Sequence, residues 1–259
     1  MDLTEVSGLN VNNPRNISQN PGYDNQPSFT NDGYLLYTSF REGNMDIVKY
    51  SMETGEKTYW TSTKSGEYSP IQMPSGESFS TITLEENGRQ LLWAYSLSQR
   101  GEGEILIPYL KIGYHVWRNE NELFAFVLGP HPTLQWIDLD QTRAEVITDD
   151  IGRSLHIIPG TSSLSYIKKL EESWMVRQYL PEQDSTIDLT VAQPESEDMC
   201  WYDEDTFLMG KGSALYSWNR EEGWQMISDL SKWNLSGITR MAVSPDQKWL
   251  AIVVDEPAD

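Results

Sequence analysis

An all-β fold built from repeated units is predicted by two features of this 259-residue sequence. Short runs rich in aromatic and β-branched residues alternate with turn residues, which is typical of strands joined by hairpins. A turn triplet also recurs about every 40–45 residues, and each triplet is followed by a short apolar strand. A repeat of this length with four strands per unit is typical of a propeller blade. The triplets are Asn31-Asp32-Gly33, Pro74-Ser75-Gly76, Asn119-Glu120-Asn121, Pro159-Gly160-Thr161, Asp203-Glu204-Asp205 and Pro245-Asp246-Gln247.

The clearest unit runs from Asn25 to Thr63 and predicts four strands, QPSFT, YLLYTS, DIVKYSM and KTYWTS. The Asn-Asp-Gly triplet joins the first two strands, because these residues tolerate the positive φ that a tight hairpin needs. A single sheet of this kind cannot cover its own faces. It is stable only when it packs against further copies, so the units must stack around a ring.

The ends of the chain predict how that ring closes. The last unit stops at Val254 after two strands, and the segment before Asn25 resembles the outer strand and linker of a complete unit. We therefore predict a six-bladed β-propeller of four-stranded antiparallel blades, one domain over residues 1–259. Its ring is closed by N- and C-terminal strands that share the last blade (about 1–24 and 236–259), which removes open sheet edges. A β-sandwich also has many short strands, but it does not account for the even spacing of the turns.

Composition excludes several classes of function. The formal net charge is -20, which argues against a nucleic-acid partner, since phosphates require Lys and Arg. No apolar run approaches the ~18–20 residues of a membrane span. The sequence does not start with a basic and then apolar leader, so a cytoplasmic location stays open. The lone Cys200 excludes an internal disulfide and is expected to be a buried, inert thiol. We expect a monomer.

One family resemblance rests on the segment QPSFTNDGYLLYTSFREGNMDIVKYSMETG, which is similar to the repeat of the TolB-like six-bladed propellers. The first, second and sixth units resemble that repeat closely, whereas the middle units keep the spacing and lose the motif. The resemblance implies a non-catalytic binding propeller of the bacterial cell envelope, periplasmic or on the cell surface, with a protein or peptide partner or a small ligand. The matching residues are Arg41, Gly43, Asn44, Asp46 and Ile47 in one segment and Ser244-Pro245-Asp246 in a turn.

Antiparallel succession places the tight turns on one face of the ring and the longer loops on the other. Loops on a rigid ring are where binding usually develops, so the long-loop face is the expected site. The alternative for its tyrosines is that they pack between blades. The candidate ligand-binding residues all lie in these loops or at the beginning of the inner strands: Tyr23, Arg41, Glu67, Tyr68, Tyr114, His115, Arg153 and His156.

Metal binding is the alternative reading of the histidines. His115 and His156 each begin a predicted inner strand, at positions matching Pro27 and Pro70, and with Asp150 they are candidate metal ligands. Oligogalacturonate lyases, which are similar propellers, hold a metal with histidines at the channel mouth. That similarity implies an alternative function, a metal-assisted lyase or hydrolase acting on an acidic saccharide.

The spacing of the histidines matches no tight metal motif, so we expect them to hydrogen-bond neighbouring loops, with no metal or other cofactor bound. No catalytic residue is predicted. The sequence contains neither a Gly-x-Ser-x-Gly elbow nor a glycine-rich phosphate loop before a helix. We therefore favour a binding protein over an enzyme.

Overall fold

The computed structural model describes residues 2–255, with the backbone alone for 2–7, and contains 24 β-strands within them. Two 3-10 helices, Pro181–Gln183 and Leu230–Trp233, are the helical segments of this part of the chain. Neither has the length and apolar character that a membrane-crossing helix requires. The strands form six four-stranded antiparallel sheets.

The composite sheet combines strands from both ends of the chain. It contains β1 (Asp2–Ser7) and β2 (Asn10–Asn16) together with β23 (Met241–Val243) and β24 (Trp249–Ile252), in the order β2-β1-β24-β23. Strands β1 and β24 pair antiparallel, with Asp2 opposite Ile252. This pairing confirms the predicted closure of the ring.

The other five sheets are each formed by four consecutive strands. The first contains β3 (Asp24–Phe29), β4 (Tyr34–Arg41), β5 (Asn44–Ser51) and β6 (Lys57–Tyr59). The second contains β7 (Gly66–Gln72), β8 (Ser78–Leu84), β9 (Gln90–Ser96) and β10 (Glu104–Ile107). The third contains β11 (Ile112–Trp117), β12 (Glu122–Val127), β13 (Thr133–Asp138) and β14 (Arg143–Asp149). The fourth contains β15 (Ile151–Ile157), β16 (Leu164–Lys169), β17 (Trp174–Leu180) and β18 (Ser185–Val191). The fifth contains β19 (Met199–Trp201), β20 (Phe207–Lys211), β21 (Ala214–Asn219) and β22 (Gly223–Asp229).

The hydrophobic core lies between neighbouring sheets. Successive side chains of a strand point to opposite faces, so Leu35 and Leu36 of β4 enter different layers. Leu35 packs with Ala251 of the composite sheet, whereas Leu36 packs with Phe79 of the second sheet. Each sheet therefore contributes both of its faces to the core, which explains why β4 is buried along most of its length.

One hydrogen bond recurs at the end of every inner strand and aligns the six sheets. A backbone N–H there donates across the tight turn to a backbone carbonyl oxygen. The acceptor is the first residue of the next strand or the residue just before it, as in Thr30 to Tyr34 (2.8 Å) and Ile158 to Ser163 (2.9 Å). Aligned on this bond, His115 matches Pro27 and Pro70, as predicted from the sequence. His156 does not match them, because Leu155 occupies that position and His156 follows it by one residue.

Candidate functional site

A cavity of about 360 Å³ lies on the axis of the ring and is lined by all six inner strands. We call it the axial cavity. Aligned residues line it in successive layers, and the first layer, at the long-loop face, is the mouth ring. The mouth ring consists of Gln26, Ser69, Tyr114, Ser154, Asp198 and Arg240. The second layer is mostly apolar, with Pro27, Pro70, His115, Leu155, Met199 and Met241, and the third contains Ser28, Ile71, Val116, His156, Cys200 and Ala242.

Asp198 is the electrostatic centre of the mouth ring. Its carboxylate accepts hydrogen bonds from Arg153 Nε (3.0 Å) and from a terminal nitrogen of Arg153 (2.6 Å). A terminal nitrogen of Arg240 lies 3.1 Å from the same carboxylate. Glu197 lies 3.5 Å from Arg153 and pairs with Lys169 at 2.7 Å. Because the side chain of Asp198 is only 8% exposed, it holds both arginines in fixed positions at the cavity wall.

Aromatic side chains converge on the same arginines. The guanidinium of Arg240, which directly precedes β23, lies 4.7 Å from the ring centroid of Tyr114 on β11, so the two side chains meet across the ring. Burial raises the pKa of the Tyr23 hydroxyl, and the nearby positive charge of Arg240 opposes that shift. Tyr23 also interacts electrostatically with Tyr114 and Tyr68. The structure therefore brings together the three predicted tyrosines with Arg153.

The two predicted histidines are neutral and hydrogen-bonded. His115 is 2% exposed, its Nε2 lies 2.6 Å from Ser80 Oγ, and burial lowers its pKa to about 3. His156 Nε2 lies 3.0 Å from Ser154 Oγ, and burial likewise lowers its pKa to about 4. Ser154 Oγ in turn accepts from the backbone N–H of Met199 on the next inner strand (3.1 Å). These contacts hold neighbouring parts of the ring together.

The structure does not assemble a metal shell around these histidines. Within residues 8–255, whose side chains are described, no group of three or more His, Cys, Asp and Glu side chains is placed to hold a metal ion. Asp150, the third candidate ligand, lies 3.4 Å from the exposed His131 and does not line the axial cavity. The absence of a metal or other cofactor stays a prediction.

Arg41 and Glu67 lie away from the axial cavity, which corrects their predicted place at the channel mouth. The guanidinium of Arg41 is 3.1 Å from Asp46 and 4.1 Å from the ring centroid of Tyr59. Glu67 is fully buried, and its Oε1 accepts a hydrogen bond from the Thr63 hydroxyl. Burial raises the pKa of Glu67 to about 7. Both side chains belong to the seam between the first and second sheets, below called the first seam.

Sequence reasoning missed Asp198, Arg240, Gln26 and Ser69. Each lies in the same layer as Tyr114, so aligning the units on their turns would have found them. Gln26 and Ser69 have φ values of 57° and 52°. Such left-handed backbone is uncommon outside glycine and is found preferentially at functional sites. The Gln26 Oε1 atom accepts from the backbone N–H of Ser69 (2.9 Å), which fixes these two residues at the cavity wall.

A second depression, the side groove, lies between the third and fourth sheets and adjoins the mouth ring. It has a volume of about 630 Å³ and shares Tyr114 and Arg153 with the axial cavity. Leu128 and Leu170 are exposed within it at 38% and 40%. The remaining lining is Phe126, Pro132, Asp150, Ile151, Lys169, Glu171 and Glu197.

Comparison with known proteins identifies the fold. No family model and no curated protein sequence matches the chain. A putative TolB from Agrobacterium tumefaciens has a similar structure, with a TM-score of 0.73 at 11% identity over 98% of this chain and 97% of that one. TolB from Acinetobacter baumannii gives 0.66 at 14% identity, covering 83% of this chain and 56% of that one, so the chain spans about half of that protein. An oligogalacturonate lyase from Vibrio parahaemolyticus gives 0.58 at 13% identity, with 90% of each chain covered. At these identities the similarity confirms the predicted all-β propeller fold, and TolB-like propellers are among the proteins that share it.

Proposed function

We propose that this protein is a non-catalytic binding propeller of the bacterial cell envelope, periplasmic or on the cell surface, which engages a protein or peptide partner through the channel mouth. The observation that carries the proposal is that Tyr114 and two arginines line one concave opening, with Tyr23 and Tyr68 near them. Tyrosine and arginine are enriched among the residues that dominate binding energy at protein interfaces. The similarity in fold to TolB-like propellers supports the same conclusion.

Burial favours the neutral forms of the cysteine and histidine side chains in the cavity wall. Burial raises the pKa of the Cys200 thiol to about 12, so the nucleophilic thiolate is scarce at neutral pH. His115 and His156 have pKa values far below neutrality and remain uncharged. Their ring nitrogens contact serine hydroxyls that also bond neighbouring groups of the ring. These features favour a structural role for them.

The test uses a partner that has been cross-linked to the protein in envelope extracts and then purified. Tyr23→Ala and Tyr114→Ala should each weaken its binding by about 2 kcal/mol, or roughly 30-fold in Kd, measured by calorimetry. Glu53→Ala and Glu221→Ala, on the tight-turn face, are the matched controls and should leave Kd unchanged. Weaker binding by the control variants alone would mean that the opposite face carries the site.

A metal-assisted lyase or hydrolase acting on an acidic saccharide is the second candidate. The observation that favours it is the pair of arginines at the mouth, which would attract a sugar carboxylate. Metal analysis of protein purified without added metal tests it, together with ultraviolet absorbance of unsaturated products from oligogalacturonate. A stoichiometric metal that is lost in His115→Ala and His156→Ala variants, together with product formation, would favour the enzyme.

A further inference from the structure

We propose that the mouth ring binds the C-terminal carboxylate of a peptide whose last residue is apolar. The proposal rests on the function proposed above and specifies the chemistry of its ligand. The carboxylate would lie against Arg153 and Arg240, and the apolar side chain would enter the axial cavity.

The first argument is charge. Two guanidinium groups share the single carboxylate of Asp198, while Glu197 is matched by Lys169. These five groups leave one uncompensated positive charge. It lies at the cavity wall of a chain whose net charge is -20. Asp150 and Glu171 border the side groove, so the axial cavity, and not the groove, is the favourable place for an anion.

The second argument is unused hydrogen-bonding capacity. A guanidinium carries five N–H donors, and among the described residues Asp198 supplies the only carboxylate within 4 Å of Arg240. Ser69, on the opposite side of the mouth ring, lines the axial cavity and is 8% exposed, and its Oγ has no hydrogen-bond partner among the residues that the structure describes. A buried polar atom without a partner costs free energy, which a ligand carboxylate would recover by accepting from that hydroxyl.

The third argument is the lining next to the mouth ring. Pro27, Pro70, Leu155 and Met241 form most of the second layer. A saccharide would expose its hydroxyl groups to this apolar wall without partners, whereas an aliphatic side chain would gain by burial. The volume of about 360 Å³ is small for a ligand site and suits one or two residues of an extended chain. The peptide terminus is therefore favoured over a uronic acid.

The experiment compares three short peptides, which share one apolar residue, with an acidic saccharide. The first is N-acetyl-Gly-Gly-Leu with a free carboxylate, and the second is the same peptide as its C-terminal amide. The third is N-acetyl-Gly-Asp-Leu-amide, whose carboxylate is a side chain, and the fourth is trigalacturonate. Binding is measured by NMR shifts of the arginine side-chain N–H groups and by calorimetry. We expect the free acid to bind at least about tenfold more tightly than any other probe, as charged hydrogen bonds are lost in its amide.

Variants assign that preference to the mouth ring. Arg240→Gln should remove the preference for acid over amide, whereas Arg143→Gln, an exposed arginine paired with Glu145 on an outer strand, should leave it intact. Because loss of Arg240 also affects folding, Ser69→Ala is a second variant. Within the described part of the chain the Ser69 hydroxyl makes no hydrogen bond, so this variant should keep the melting temperature and lose about threefold or more in affinity for the free acid.

Four results would overturn the proposal. They are equal affinity for acid and amide, preference for the internal aspartate peptide, no binding by any peptide at 10 mM (about the upper practical limit of such titrations), and an unchanged acid preference in both mouth-ring variants. If the acid and the amide bind equally and Tyr114→Ala weakens the binding of both, the proposed binding propeller is retained. Only the recognition of a terminal carboxylate is then rejected. If trigalacturonate is the only probe that binds, both the carboxylate proposal and the proposed peptide-binding function are rejected.

Discussion

The first seam and the channel mouth use charged side chains in opposite ways. In the first seam, Asp46 and Glu67 are buried between the two sheets that most closely follow the repeat motif, and Arg41 pairs with Asp46. At the channel mouth, Asp198 and its two arginines border a cavity and come from the fourth, fifth and sixth units, of which only the sixth follows the motif closely. In the first seam, polar residues contribute to cohesion between sheets. At the mouth, they border a space that a ligand can enter.

The two regions also differ in how completely their carboxylates are satisfied. In the first seam, buried side-chain atoms that lack a hydrogen-bond partner include Asp46 Oδ1, Glu67 Oε2 and Arg41 Nε. Asp198 at the mouth accepts from Arg153 through both of its oxygens, and a terminal nitrogen of Arg240 lies 3.1 Å from one of them. The first seam should therefore respond strongly to pH, whereas the mouth should respond strongly to the loss of a single carboxylate.

The largest effect is expected for Asp198→Ala. The variant leaves Arg153 and Arg240 close together, partly buried and without their shared partner, and should lose about 3 kcal/mol of unfolding free energy. Denaturant midpoints at constant m-value measure the loss. The control is Asp188→Ala, which removes a 54% exposed partner of Arg177 and should cost less than about 1 kcal/mol. Equal losses in the two variants would contradict the central role of Asp198.

The next effect concerns Glu67 and depends on pH. Its pKa in the folded protein is about 7, above the ordinary value of 4.5, so the native state binds the proton more tightly than the unfolded state. The stability from this proton is fully present below pH 4.5 and is lost as pH rises through 7. Relative to Glu67→Gln, the wild type should therefore lose about 3 kcal/mol between pH 4.5 and pH 8.

The comparison requires denaturation curves of both proteins across this pH range. Glu53→Gln, in an exposed turn, is the control and should show no pH-dependent difference from the wild type. A difference between wild type and Glu67→Gln that stays constant with pH would mean that Glu67 is ionised throughout.

The smallest effect is expected for Arg41→Ala. Asp46 would lose its ion pair, but Arg41 is 34% exposed and solvent compensates part of the loss, so stability should fall by about 1 kcal/mol. Because Arg41 does not line the axial cavity, affinity for the partner should not change. If Arg41→Ala weakens binding and leaves stability unchanged, Arg41 belongs to the binding site. The proposed difference between the first seam and the channel mouth would then be wrong.

The sequence predicted the propeller because its signals are local. Turn residues and the alternation of apolar and polar residues within strands are signals that span a few positions. The even spacing of the turns gives the number of units. The pairing of β1 with β24 could also be predicted, because the last unit has only two strands and must be completed by strands from the other end of the chain.

The site was predicted less well, because position in a loop does not determine which way a side chain points. The ladder between β7 and β8 shifts register between Tyr68 and Ile71. Glu67, which precedes this irregularity, faces the first seam and not the axis. Asp198 and Arg240 were missed because they are 42 residues apart in the sequence and meet only when two units are aligned.

The composite sheet also determines how the protein responds to mechanical force. Asp2 at the beginning of β1 lies opposite Ile252 at the end of β24, so the chain enters and leaves this pair at the same end. Tension applied to the chain before β1 and after β24 would pull the two strands apart from that end, breaking their hydrogen bonds one at a time. A ladder loaded in this way opens at lower force than one sheared along its length, where all the bonds share the load. The ring would therefore open first at its junction, leaving the five contiguous sheets to unfold afterwards.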